Sequence, residues 1–222
     1  MKKLFFLLFI LLSTFYSCKN NDDIDLKESE VTLYSGEQYA IKANSDTKIL
    51  YKSDNEYIAI VSDKGLVTAK TIGETLIQMD NGQDKKTFRV KVNPKYDLYP
   101  TPELNFGMSK ISLIEKYGTP DETDENTIVY SNYSDVASFV IYKFDDADLL
   151  IGSSVMVKTS YSKDIIPFLL ERYNYIEEED IEETFVFIDG LTQETAKTSI
   201  VAKIVDSDYW IVGYMPVVLT NE

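Results

Sequence analysis

The stretch Ser53-Asp54-Asn55-Glu56-Tyr57-Ile58-Ala59-Ile60-Val61-Ser62-Asp63-Lys64-Gly65-Leu66-Val67-Thr68-Ala69, continued by Gly73-Glu74-Thr75-Leu76-Ile77, decides the fold of the first half of this chain. Ala59-Ile60-Val61 and Leu66-Val67-Thr68-Ala69 are too short for helices, and Asp63-Lys64-Gly65 between them supplies turn residues. The same rhythm extends outward. Upstream, Val31-Thr32-Leu33-Tyr34 stops at Ser35-Gly36, Gln38–Ala43 stops at Asn44-Ser45-Asp46, and Ile49–Lys52 stops at Ser53. Downstream, Thr75–Met79 reaches Asn81-Gly82, a hairpin signal because both residues tolerate positive φ. Thr87-Phe88-Arg89-Val90-Lys91-Val92 closes the segment with Phe88, Val90 and Val92 on one face. No helical period intervenes, so residues 31–93 read as a small β-sandwich.

These residues resemble a bacterial Ig-like domain of group 2 (BIG2). The likeness rests on Ser53-Asp54-Asn55, Ile58–Ala69, Gly73–Ile77, the entry Leu33–Glu37 and the exit Phe88–Val92. Tyr51 stands where the family usually has Trp, so an aromatic core plug is kept. The resemblance implies an all-β Ig-like sandwich that acts mostly as a spacer in surface proteins and adhesins and sometimes binds directly. It carries no catalytic residues to transfer.

Residues 94–222 read differently. Asn93–Pro102 is punctuated by proline and reads as a linker. Ser109 is placed to cap a short helix bearing Ile111, Leu113, Ile114 and Tyr117, stopped by Gly118 and Pro120. An acidic loop follows at 121–126, then strand-like runs at 127–133, 138–144 and 151–158. A second helix begins near Asp164, with Pro167 expected in its first turn, and ends at Arg172-Tyr173-Asn174. The acidic run Glu177–Glu183 and strands at 184–188, 199–205 and 209–215 complete the pattern. Leu113–Gly118 parallels Leu169–Asn174 at a spacing of 56 residues. The expectation is an α+β domain with internal duplication: a tandem α-βββ unit forming an antiparallel sheet with two helices on one face. Phe106–Ser109 through Tyr117–Pro120 also resembles the helix opening of β-lactamase-inhibitor-like and outer-membrane assembly lipoprotein domains, which bears on fold alone.

Alternation puts Trp210, Val212 and Tyr214 on one side of the last strand and Tyr209, Ile211 and Met215 on the other. Trp210, Tyr214 and Tyr142 are candidate ligand-binding residues, with Tyr130 and Phe187 able to join them. Such a patch suits glycan rings or a protein partner, because aromatics give large contact area at low entropy cost. The competing reading is that these residues fill the core beneath the helices or the interface with the Ig-like domain.

The N-terminus carries a targeting signal. Met1-Lys2-Lys3 is positive, Leu4–Leu12 is apolar and too short to span a bilayer, and Phe15-Tyr16-Ser17 leads to Cys18. Cys18 is the sole cysteine, which excludes an internal disulfide. Phe15-Tyr16-Ser17-Cys18 resembles the loose lipobox of Bacteroidetes-type lipoproteins. That likeness implies cleavage of residues 1–17 and lipidation of Cys18, with the membrane as a partner through that lipid. The acidic stretch that follows is expected to be a tether over 18–30 and resembles a surface-export signal, so outer-membrane anchoring at the cell surface is expected.

Composition narrows the chemistry. Loss of Lys2 and Lys3 would leave 20 Lys+Arg against 37 Asp+Glu, a net charge of −17. Such a surface repels nucleic acid. With no histidine and one cysteine, Ser-His-Asp and Cys-His catalysis and ordinary zinc sites are absent from the menu. No cofactor motif appears. The acidic clusters Asp121/Glu122/Asp124/Glu125, Asp145/Asp146/Asp148 and Glu177–Glu183 lack EF-hand spacing and read as solvated loops. The expected function is non-catalytic: adhesion or capture of a glycan or protein ligand. The alternative is a periplasm-facing accessory or inhibitor protein docked on a complex.

Overall fold

The computed structural model describes residues 22–176 and 184–218. Cys18 and its apolar leader, and the acidic run at 177–183, lie outside them.

The N-terminal unit comprises β1 (Asp25–Leu26), β2 (Glu30–Tyr34), β3 (Gln38–Ala40), β4 (Ala43–Asn44), β5 (Leu50–Ser53), β6 (Ala59–Val61), β7 (Leu66–Ala69), β8 (Gly73–Asp80) and β9 (Lys85–Asn93). One sheet has the order β2-β9-β8-β5 and the facing one β3-β7-β6, while β1 pairs with β4. Neighbours run antiparallel except β2 and β9, which are parallel. The core between the sheets is Leu33, Ala59, Val67, Ile77, Met79, Phe88, Val90 and Val92. Each large side chain buried there contributes about 1.5–3 kcal/mol. Tyr51 packs against this core. Gly65 is required beside it: its φ is +75°, and a Cβ would lie 2.8 Å from the Tyr51 ring. The hairpin at Asn81-Gly82 is longer than a two-residue turn, since Asp80 pairs with Lys85. Asn81 fills the loop by accepting from the N–H groups of Gln83 and Asp84.

The polar tether expected over 18–30 is shorter than its composition suggests. The Asp22 carboxylate accepts the N–H groups of Asp46 and Thr47, each at 2.8 Å, and the Thr47 hydroxyl at 2.6 Å. Ile24 is inserted into the core. One apolar residue and one well-placed carboxylate therefore tie an otherwise polar segment to the sandwich.

The second unit is an eight-stranded antiparallel sheet with both helices on one face. Its elements are α1 (Lys110–Tyr117), β10 (Glu122–Thr123), β11 (Thr127–Ser131), β12 (Ala137–Phe144), β13 (Leu150–Lys158), α2 (Ser162–Leu170), β14 (Asn174–Ile176), β15 (Thr184–Ile188), β16 (Thr198–Ile204) and β17 (Tyr209–Pro216). The strand order, β10-β11-β12-β13-β17-β16-β15-β14, is a palindrome of two helix-plus-meander halves joined where β13 meets β17. Each half has four strands rather than the three expected. The extra ones, β10 and β14, are two- and three-residue edges, and β10 falls in a stretch read as an acidic loop. Ser109 caps α1 by accepting from the Ser112 N–H, and Gly118 ends it at φ 88°. α2 begins at Ser162, so Pro167 sits inside the helix rather than in its first turn. There it forgoes a hydrogen bond to the Lys163 carbonyl. Leu113, Ile165, Phe168 and Leu169 bury the helices against Tyr142, Val155, Phe187, Ile200, Val212 and Tyr214. The presumed linker enters this core too, through Leu98 and Tyr99.

Candidate functional site

The residues singled out from sequence as ligand-binding lie inside this core. Trp210 is 6% exposed, and Tyr214 and Tyr142 are 1% exposed. Their polar atoms are already engaged. The Trp210 indole N–H donates to the Ser162 hydroxyl at 2.9 Å, and the Tyr214 and Tyr99 hydroxyls meet at 3.0 Å. The Tyr142 hydroxyl accepts the Glu103 N–H at 3.3 Å. Burial pushes the Tyr142 phenol up to about 12 and raises Tyr214 well above the ordinary range. Phe187 is fully buried and Tyr130 packs on the same cluster. The patch is a core: alternation fixes two faces, and the helices cover the one that carries Trp210.

The other face of the sheet carries no helix. Its cross-strand rows follow from the register. One row is Val129, Ile141, Ser154, Gly213, Val201, Val186 and Ile176. Beside it run Ser131, Phe139, Met156, Ile211, Lys203 and Thr184. The Phe139 ring packs at 6.0 Å against Tyr209, which stands opposite Lys158 in the next row. Ser154 and Gly213 make a shallow centre flanked by the larger side chains. Lys143, Lys158, Lys203 and Met215 project farthest into solvent. Among the described positions of β11–β13 and β15–β17 on this face there is no Asp or Glu; the one carboxylate in register with it, Glu122, sits on the short edge strand β10 beside Val129. The face is therefore apolar in the middle and cationic toward the strand ends. Large exposed apolar faces on a sheet mark interaction sites more often than solvated surface. The sequence held the signal for this face in the spacing of Phe139/Ile141/Lys143, Met156/Lys158 and Tyr209/Ile211.

The two units meet at a polar joint. The Glu171 carboxylate accepts the N–H groups of Lys95 at 2.9 Å and Tyr96 at 3.1 Å. Arg172 donates to the Tyr96 carbonyl at 3.0 Å and lies 3.8 Å above the Phe168 ring. From the sandwich, the Ile72 N–H donates to the Glu171 carbonyl at 2.7 Å and the Tyr57 hydroxyl to the Arg172 carbonyl at 2.6 Å. Burial at the joint raises the Tyr57 phenol. β8 starts beside this joint and ends beside Asn81, whose amide holds the Asp22 carbonyl. Its eight residues span about 27 Å. A cleft of about 410 Å³ opens at the joint, lined by Ser35, Lys70, Leu170 and Tyr175 among others. Two of its hydroxyls are spent internally: Ser35 donates to the Lys70 carbonyl and Thr71 to the Tyr57 carbonyl.

Elsewhere the acidic loops organise themselves. Asp145 accepts from the N–H groups of Ala147 and Leu149 within its turn. Among the described residues no three carboxylates converge as a metal site. The half-sequestered Glu103 is disfavoured as an anion by burial, but Lys116 at 2.6 Å and the Asn105 N–H outweigh this and lower its pKa. No helix among the described residues is long and apolar enough to cross a membrane.

Comparison with known proteins locates one part of this architecture. Residues 23–92 match the profile of the bacterial Ig-like domain (group 2). An uncharacterized protein of Bacillus subtilis (strain 168), YjdB, is 39% identical over 59 residues, 27% of this chain and 50% of that protein. The match thus spans about half the length of that relative. Solved structures overlap loosely. Domains 5–6 of the S-layer protein SbsC share 15% identity at a TM-score of 0.28, covering 87% of this chain and 83% of that one. The C-terminal domain of TagH shares 11% at 0.30, covering 77% and 98%. The Bacteroides ovatus mixed-linkage glucan utilization protein SGBP-B shares 11% at 0.28, covering 90% and 63%. At such scores the likeness is a shared richness in β-sheet. The N-terminal unit of this chain is an Ig-like domain of the bacterial group 2 type, followed by a second, β-rich domain with its own core.

Proposed function

We propose that this chain is a non-catalytic surface lipoprotein that binds a macromolecular partner through the uncovered face of its eight-stranded sheet. Lipid on Cys18 anchors it to the outer membrane. The Ig-like domain is a strut that carries the second domain outward. The observation that carries this reading is the row Phe139–Met156–Ile211 with its surrounding lysines, an apolar face that carries a carboxylate only at its edge, at Glu122, on a strongly acidic chain. The strut role draws on the placement of Asp22 at one end of β8 and the joint at the other. Only four peptide steps separate Cys18 from Asp22, which at full extension reach about 14 Å.

Three experiments test the reading. Cys18→Ala should move the protein out of the membrane fraction, and protease added to intact cells should degrade the wild-type chain. Protection from protease would favour the periplasm-facing alternative. A photo-crosslinking amino acid at Ile211 should give a defined adduct on intact cells. The same group at Ile111, exposed on the helix side, should not. Equal labelling from both positions would remove the face from consideration.

A further inference from the structure

The uncovered face has the chemistry of a self-complementary surface, and we infer that its occupant is a second copy of this chain; the inference rests on the reading of that face as the binding surface. Six strands, β11 to β13 and β15 to β17, make it about 29 Å across, and the central ones are about 24 Å long. That is roughly 700 Å² in plan, close to the ~800 Å² per partner of a stable protein complex. The face itself needs an apolar partner ringed by carboxylates. Phe139, Met156 and Ile211 are contiguous, while Lys143, Lys158 and Lys203 make no salt bridge among the described residues.

The chain supplies such a ring around its own face. The β11–β12 and β16–β17 turns place Asp135 and Asp208 at the end of the sheet where Lys158 and Lys203 lie. The β12–β13 turn places Asp146 at the end where Lys143 lies. Asp135, Asp146 and Asp208 are exposed and make no salt bridge among the described residues. A two-fold interface brings each lysine-bearing face against the other copy's aspartate rim and stacks the apolar centres on one another. Without such pairing, two processed copies, each with a net charge of −17 (20 Lys+Arg against 37 Asp+Glu), repel. Anchoring in one membrane raises the local concentration of copies and favours the pairing further.

Sedimentation velocity decides the matter, using the processed chain with Cys18→Ala so that no lipid drives association. The expected result is a dimer that weakens as NaCl is raised. Ile211→Lys should weaken it by roughly 30-fold or more with the melting transition retained. Lys203→Glu, at an exposed position that does not bear on folding, should weaken it and abolish the salt dependence. Ile111→Lys, at a position 71% exposed on the helix side, should leave it unchanged. A monomer at the highest soluble concentration overturns the inference, as does a dimer indifferent to both face variants. A monomer whose Ile211 crosslinker still captures a different protein on intact cells overturns self-association alone. A monomer that gives no Ile211-specific adduct overturns the face as a binding surface as well.

Discussion

Glu171 and Arg172, adjacent in sequence, form a 2.5 Å ion pair that is 3% and 14% exposed and holds the chain where it passes between the two domains. The carboxylate takes two backbone N–H groups of that passage and the guanidinium takes a carbonyl. Removing one partner strands the other. Glu171→Ala is expected to cost about 3 kcal/mol and to loosen the two domains, read as a lower unfolding midpoint and a broader small-angle scattering profile. Glu171→Gln keeps an acceptor for the N–H groups and should cost less than half as much. Equal losses from the two variants would refute the hydrogen-bonding role.

Trp210 reports on the core rather than on a ligand. As the sole tryptophan, it should emit at short wavelength in the folded chain. Trp210→Ala is expected to cost about 3–5 kcal/mol through the cavity it leaves. Trp210→Phe should cost less, chiefly through the lost bond to Ser162. Chemical denaturation followed by circular dichroism measures both. A water-like emission maximum in the native chain would contradict its burial.

The Asp22 carboxylate is held near 2, below its ordinary 3.8, first by the Thr47 hydroxyl and then by the Asp46 N–H. A depressed pKa means a contribution that is complete above the ordinary value and is lost as pH falls through the folded one. The amide resonances of Asp46 and Thr47 should therefore titrate with a midpoint near 2. A midpoint at 3.8 would mean that the N-terminal segment is not docked as described. Asp22→Asn should abolish the titration.

At the alkaline end the sign reverses in pH. Burial raises the Tyr142 and Tyr173 phenols to about 12, from an ordinary 10. Their contribution is intact below 10 and disappears as pH rises through about 12. Stability measured by urea titration should fall across that interval. Absorbance at the phenolate band should show a late group of tyrosines that ionise only with unfolding. A single transition near the ordinary value for every tyrosine would exclude the buried cluster.

Much of this fold was legible because it rests on local chemistry. Period-2 runs closed by Asp-Lys-Gly and Asn-Gly marked the sandwich, and Ser109 and Gly118 marked the first helix. The parallel between Leu113–Gly118 and Leu169–Asn174 pointed to a helix followed by strands in each half, but not to the mirrored order in which the two halves join. What escaped depends on long-range context. Alternation separated Trp210 from Ile211 but held no information about which side the helices would cover. β10 and β14 are too short to leave a period. Ile24 is a lone apolar residue in a polar stretch, and its burial depends on loops more than 20 residues away. Glu171 and Arg172 carry no local sign of their burial, because their side chains find partners at Lys95 and Tyr96, 75 or 76 residues earlier in the chain. The uncovered face went unread for a different reason: its mark is apolar residues and lysines at alternating positions of β12, β13 and β17, which attention to aromatic residues passes over.

The parallel pairing of β2 with β9 has a mechanical consequence. Glu30 pairs with Arg89 and Tyr34 with Asn93, so the strand that enters the sandwich and the strand that leaves it lie side by side, pointing the same way. A pull applied between an anchored N-terminus and a loaded second domain drags these strands in opposite directions along their length. The hydrogen bonds between them then bear the load in shear, together, instead of opening one after another like a zip. The Asp22 contacts and the two-residue β1–β4 pair would give way first and absorb slack. The sandwich is thus built as a tension member, hardest to break along the line on which a tethered, partner-bound protein would be stretched.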